Sequence, residues 1–366
     1  MKRTSLILIL QIAFIGAALA QYTFTTSSQA KCTAIKNQQS TGTCWSFTTV
    51  SYLESELLRL GKGEYDLSEM HLVRTIYKDK ARNYVLRQGK ANFSQGGLSH
   101  DVIRAFEMGG IVPESVYSGR RSNDAVHDHS EMEIAMKGLL DAVVNGKSVS
   151  TKWPDAIEGV LDAYMGQPQE KFEHQGKSWT AKDFANSLGI NPDDYVSLTS
   201  FTHHPFYEAC IVEVPDNYSN GSYYNLPLDE FQAVVDYALA NGHTVAWDGD
   251  VSEKSFSGKE GIAVIPAEAG RSDLFSKPGA ETKVDQALRQ QAFESYATTD
   301  DHLMHLVGTV KDQTGTVYYL TKNSWGEISQ YKGFLHLSSS YFRLKTVGIM
   351  VHKSAIPKAI AQKIKW

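Results

Sequence analysis

Apolar residues recur at helical spacing from Cys44 onward, with Phe47, Val50, Leu53, Leu57 and Leu58 along one side. The spacing predicts a helix from Cys44 to about Leu60, ended by Gly61 and Gly63. The same period marks Glu131 to Val144, Asp155 to Met165, Trp179 to Leu188 and Phe231 to Leu239, and it appears at Val102, Ile103 and Phe106 after two adjacent glycines, Gly96 and Gly97. Ser68, ahead of a further helical run, is a candidate N-cap. Asn191-Pro192-Asp193-Asp194 and Asn241-Gly242 read as turns. Beyond the second turn, His243 to Val251 reads as a strand, so helical patterns fill the first two thirds of the chain and strands follow.

The first twenty residues stand apart. Lys2 and Arg3 precede an apolar run from Leu6 to Ile15, and Ala18-Leu19-Ala20 forms a small-x-small cleavage site. The run is short for a membrane span, so the expectation is a signal peptide (1–20) cleaved after Ala20 and a periplasmic or extracellular protein. Cleavage takes 366 residues to 346 and removes two of 36 basic residues and none of 41 acidic ones, giving 34 − 41 = −7. That balance argues against nucleic acid or an anionic membrane surface as partner, and no other segment approaches a transmembrane span. Three cysteines, Cys32, Cys44 and Cys210, are too few for a disulfide-built scaffold, and sequence alone leaves open whether Cys32 and Cys210 pair.

The candidate chemistry begins at the head of the first helix. Gln38 lies six residues before Cys44 in Asn37-Gln38-Gln39-Ser40-Thr41-Gly42-Thr43-Cys44-Trp45-Ser46-Phe47. A thiol at a helix N-terminus faces unpaired N–H groups and the positive end of the helix dipole, which favours its thiolate. A glutamine amide nearby, with the Cys44 N–H, has the donors needed to hold an oxyanion. Far downstream come Asp301-His302-Leu303-Met304-His305 and then Asn323-Ser324-Trp325-Gly326.

These segments resemble the papain-like cysteine peptidases, and within them the bleomycin hydrolase and aminopeptidase C branch. The papain signature has a cysteine where this chain has Thr41. The resemblance implies an α+β, two-lobed fold: a helical lobe (about 35–230, with an insertion at about 120–230) packed against an antiparallel, barrel-like β lobe (about 240–353), then a tail (354–366). The insertion fits the spacing, since 302 − 44 = 258 positions separate cysteine and histidine, against roughly 130 to 150 in papain-type chains. About seventeen residues between Gln21 and Gln38 leave no room for a long inhibitory propeptide.

By the same resemblance Cys44 is the nucleophile and His302 its base, Asn323 orients the imidazole, Gln38 helps hold the oxyanion, and Trp325 and Trp45 support the site. Gly96 and Gly97 are assigned to the substrate cleft, where a bare backbone lets a peptide pair as an added strand. His305, three residues along the strand from His302, faces the other way. Trp247 is either cleft wall or core. Peptides or proteins are the expected substrates, no cofactor is implied, and the oligomeric state stays open. His203 and His204, with Glu208 and Cys210 near, match no strong zinc pattern, and adjacent histidines on a strand would point to opposite faces, so no metal is expected. In the related aminopeptidases a C-terminal arm lies in the cleft. Here the segment from Ile356 to Trp366 either reaches the cleft or forms a frayed basic helix, and aminopeptidase stands ahead of endopeptidase, with an acyltransferase or a peptide-binding protein as readings from other classes.

Overall fold

Helix α1 (Cys44–Arg59) is buried continuously from Cys44 through Leu57, which places it inside a lobe rather than on its surface. Burial on every side forces its acids to find partners: Glu54 accepts from Thr33 Oγ1 at 2.5 Å and the Leu67 N–H at 2.9 Å, and Glu56 holds the Arg59 guanidinium. The computed structural model describes residues 21–121, 124 and 126–366; the expected signal peptide lies outside them.

Around α1 pack α2 (Glu69–Leu86) and α3 (Ser99–Gly109), then α4 (Ser130–Val144), α5 (Trp153–Met165) and α6 (Ala181–Leu188). Ser68 caps α2, its Oγ accepting from the His71 N–H at 3.1 Å. Between α5 and α6 lies a small hairpin, β2 (Phe172–His174) and β3 (Lys177–Trp179). None of the described helices is long and apolar enough to cross a membrane.

The second lobe is one large sheet. Its strands are β1 (Phe24–Gln29), β4 (Tyr195–Thr199), β5 (Ala209–Ile211), β6 (Ser222–Asn225), β7 (Val245–Gly249), β8 (Phe256–Ser257), β9 (Ile262–Ala263), β10 (His302–Asp312), β11 (Val317–Lys322), β12 (Phe334–Ser338) and β13 (Thr346–His352). They run in the order β5-β6-β4-β13-β7-β10-β11-β12-β9-β8, with β1 added antiparallel to β10. The sheet is open, with β5 and β8 at its ends, and the pairs β4–β6 and β12–β9 are parallel. The lobe is therefore mixed and unclosed, where a barrel-like antiparallel one was expected.

The lobe boundary also shifts. Residues 195–225, placed by sequence in the helical insertion, supply β4, β5 and β6, and residues 24–29 near the other end supply β1. Every residue of β4 is buried, and the alternation of Val196 and Leu198 with Ser197 and Thr199 spans only four positions, too few to mark a strand.

One core gathers around α1, α2 and α3, and a second lies across the sheet against α7 (Leu228–Ala240) and α9 (Ser339–Lys345). Helix α8 (Gln286–Glu294) sits beside α9. The segment expected to reach the cleft or fray does neither. It forms α10 (Lys358–Ala361) and docks on the sheet lobe, with Ile360 and Ile364 buried in the second core. The Lys365 N–H bonds the Tyr207 carbonyl at 2.9 Å, and Trp366 packs on Tyr224.

Candidate active site

Two loops that are far apart in sequence are joined by backbone pairing. Gln38 N–H donates to the Ser324 carbonyl at 2.9 Å and Gly326 N–H to the Lys36 carbonyl at 3.1 Å, with Asn37 opposite Trp325. The Gln38 amide is fixed at both ends: Oε1 accepts from Ser324 Oγ at 2.6 Å, and Nε2 donates to the Thr41 carbonyl at 2.7 Å. One Nε2 hydrogen remains for the cleft that Gln38 lines. Thr41 Oγ1 donates to the Gln38 carbonyl at 2.8 Å and lies 2.6 Å from Thr43 Oγ1. Thr43, at the N-cap of α1, thus gives its hydroxyl to the loop and not to the helix, so no side chain caps the first turn.

Cys44 opens α1 and His302 opens β10, and both line one cleft of about 490 Å³ between the lobes. His302 Nε2 lies 2.8 Å from Asn323 Oδ1, which also accepts the Ser324 N–H at 2.8 Å. An oxygen already accepting one N–H fixes the amide orientation, so Nε2 carries the imidazole proton and Nδ1 keeps a lone pair. Trp325 stacks on His302 with ring centres 4.6 Å apart. His305 faces the other way, as the strand period requires, its Nδ1 2.9 Å from Ser51 Oγ.

Burial dominates the electrostatics. It pushes the Cys44 thiol up to about 12, helped by Asp300, Asp248 and Asp216 and opposed by a hydrogen bond from the Leu303 backbone. It pulls His302 down to about 4, opposed by Asn323. The lowered thiol pKa expected from the helix end is therefore outweighed for Cys44 ionising alone. Proton transfer from Sγ to the imidazole creates both charges together, and their attraction then offsets the cost that each would bear singly.

The glycines and tryptophans divide by role. Gly96 and Gly97 line the cleft with Gln95, whose carbonyl accepts from Trp45 Nε1 at 3.0 Å. A side chain at Gly97 would begin 3.0 Å from the Trp45 indole, and one at Gly96 would begin 1.8 Å from Asp216 Oδ2. The space above both glycines is thus already occupied by this chain's own side chains. Trp247 is core: it is fully buried in the second core, with Nε1 donating to Thr346 Oγ1 at 2.8 Å. Its neighbour Asp248 emerges on the opposite face of β7.

The sequence reading missed the acidity of the cleft. Asp216, Asp300, Asp301 and Glu133 line it, and Asp248, 3% exposed, stands behind. Two signals were available: the acidic doublet directly before His302, and a carboxylate inside the apolar strand Val245–Gly249. Asp216 carried none, because only folding brings it over Gly96.

His203 and His204 do not diverge as expected, for they lie on a loop. Their Nε2 atoms reach Glu213 at 3.1 and 2.9 Å, and the three form the one group of metal-ligating side chains that converges among the described residues. Yet Gln290 Nε2 donates to His203 Nδ1 at 2.8 Å, its orientation set by Oε1 accepting the Thr202 N–H. The His203 proton is thereby placed on Nε2, where a metal would need a lone pair. Cys32, Cys44 and Cys210 are all free thiols.

Comparison with known proteins gives concordant matches. The sequence model of the Peptidase C1-like family matches residues 91–365, and that of the papain family cysteine proteases matches residues 21–160. The chain is 23% identical to aminopeptidase G of Lactobacillus delbrueckii subsp. lactis, over 88% of this chain and 82% of that one. It is 24% identical to aminopeptidase C of Streptococcus thermophilus, over 87% and 80%. It is also 24% identical to the mitochondrial cysteine proteinase 1 of Saccharomyces cerevisiae, over 93% and 79%. The fold matches the crystal structure of PepW from Lactobacillus rhamnosis with a TM-score of 0.74, at 21% identity over 96% of this chain and 86% of that one.

Proposed function

The chain belongs to the peptidase C1-like family of cysteine peptidases, and on that premise we propose that it is an aminopeptidase whose nucleophile is Cys44 and whose base is His302. The observation that carries this reading is the orientation of the imidazole: with Nε2–H held by Asn323, the free Nδ1 lone pair is available to the thiol of the same cleft. His302 takes the Cys44 proton as sulfur attacks the carbonyl of the first residue. The Gln38 amide and the Cys44 N–H stabilise the oxyanion. His302 then returns the proton to the leaving amine, and water hydrolyses the thioester. Aminopeptidase action draws on the relatives named above.

A second reading, endopeptidase, is favoured by one observation: no residue of 354–366 lines the cleft. Peptides with a free N-terminus and the same peptides acetylated separate the two, since equal cleavage of both would support the endopeptidase. Labelling by an epoxysuccinyl inhibitor, lost in Cys44→Ala, tests the nucleophile; an unlabelled wild type would refute it. Export is part of the proposal, and N-terminal sequencing of protein from an exporting host should begin at Gln21. A start at Met1 would refute it.

A further inference from the structure

The cleft ends in a wall of carboxylates for which the catalytic steps have no use. Asp216 projects into it from the loop before β6. Its Oδ1 accepts from Asn92 Nδ2 at 2.9 Å and Ser94 Oγ at 3.3 Å, and its Oδ2 stands where a side chain of Gly96 would begin. A peptide continuing past one residue along the glycine edge would meet that carboxylate first.

Behind it lies a second, independent feature. Neither oxygen of Asp248 nor Oδ2 of Asp300 has an N–H or hydroxyl partner, although all three are buried. The two carboxyls instead face each other within hydrogen-bonding reach, an arrangement that holds only while they share a proton. Beyond that shared proton, Asp300, which lines the cleft, has a buried oxygen, Oδ2, with no N–H or hydroxyl donor among the described residues. Such an oxygen calls for a cationic donor. Lys80, whose charge acts on Asp300, is fully buried and donates to the carbonyls of Ser94 and Gly96. A metal ion fits less well, since these carboxylates are not among the side chains that converge closely enough to share one.

We propose that Asp216 and Asp300, with Asp248 behind them, seat the α-ammonium of the substrate's first residue. The requirement for a free N-terminus then lies in side chains inside the cleft and not in the C-terminal segment, which is anchored on the sheet lobe. This rests on the aminopeptidase reading. An acylated N-terminus brings no charge to Asp300 and adds bulk where Asp216 already stands. A free one supplies N–H donors to both, and charge-assisted hydrogen bonds of this kind are strong.

The test compares an aminoacyl fluorogenic amide with its N-acetyl form on wild type, Asp216→Asn, Asp300→Asn and a chain ending at 353. Active sites are counted by epoxysuccinyl titration of Cys44, so that only folded enzyme enters the rates. Wild type should prefer the free substrate. Each Asn variant should raise KM for it by about tenfold to a hundredfold, the worth of a charge-assisted hydrogen bond, and the free-to-acetyl ratio should fall. The shortened chain should keep the preference. Titratable Asn variants with the wild-type ratio would overturn the inference and leave the aminopeptidase standing, as would loss of the preference only in the shortened chain. A wild type indifferent to acetylation would instead overturn the aminopeptidase reading itself.

Discussion

Replacing Asn323 with alanine tests the proposed mechanism at its most exposed point. Asn323 is 4% exposed and His302 3%, and among the described residues no other acceptor is placed at His302 Nε2. The substitution strands a buried N–H, and when the ring becomes imidazolium it strands a charged one. A hydrogen bond to a charged group is worth about 1.5–3 kcal/mol. At about 1.36 kcal/mol per decade, kcat/KM should fall about tenfold to 150-fold. The pH profile gives a second reading. Asn323 raises the His302 pKa against the larger pull of burial. Without it the imidazolium deprotonates at lower pH, so the acid limb of kcat/KM, below which the protonated ring cannot take the thiol proton, should move to lower pH. The Ser324 N–H also loses its acceptor, costing about 1–3 kcal/mol of stability, so a thermal melt must show folded protein at the assay temperature. Asn323→Asp keeps an acceptor and should recover part of the rate. A folded alanine variant within twofold of wild type, with its acid limb unmoved, would refute the assignment of Asn323 as the orienting residue.

Three further outcomes follow from the same geometry. Ser324→Ala frees Gln38 Oε1 and should lower kcat several-fold with KM nearly unchanged, whereas Gln38→Ala should cost about a hundredfold to a thousandfold; steady-state kinetics on one substrate decide it, and equal effects would argue that Gln38 donates nothing to the oxyanion. Burial first, then Asp216 and Asp301, raise Asp300 to about 7 against Asp248 and Lys80. With Glu133, Cys44 and His302 also lining the cleft, the raised acid is neutral below that pH and a carboxylate above it. KM for a free N-terminal peptide should therefore fall as pH rises through about 7, until the substrate amine itself deprotonates near about 8. The acetylated peptide should lack this limb; finding it there too would argue against Asp300 as the ammonium partner. Trp247→Ala should cost about 3–5 kcal/mol in denaturant unfolding, as a fully buried tryptophan does, and a loss under 1 kcal/mol would contradict its place in the core.

The sequence by itself determined the parts whose causes are local. Cys44 at a helix start, the period of the following apolar residues, the Ser68 cap and the alternation that separates His302 from His305 all depend on neighbours within a few positions, so they were readable from spacing alone. The pairing of the Gln38 and Asn323 loops came through resemblance, not through any pattern in the chain. Tertiary structure decided what depends on distant segments. β4 is five residues long and its alternation too brief to read, and only its pairing with β13 and β6 moved residues 195–225 from the helical lobe to the sheet. Trp247 and Asp248 occupy opposite faces of one strand, and only packing shows which face meets the core. Most of all, desolvation set the charge behaviour of Cys44 against the local helix-end effect, and folding brought Asp216 into the space above Gly96. Burial and long-range approach are sums over the whole chain, and no window of sequence contains them.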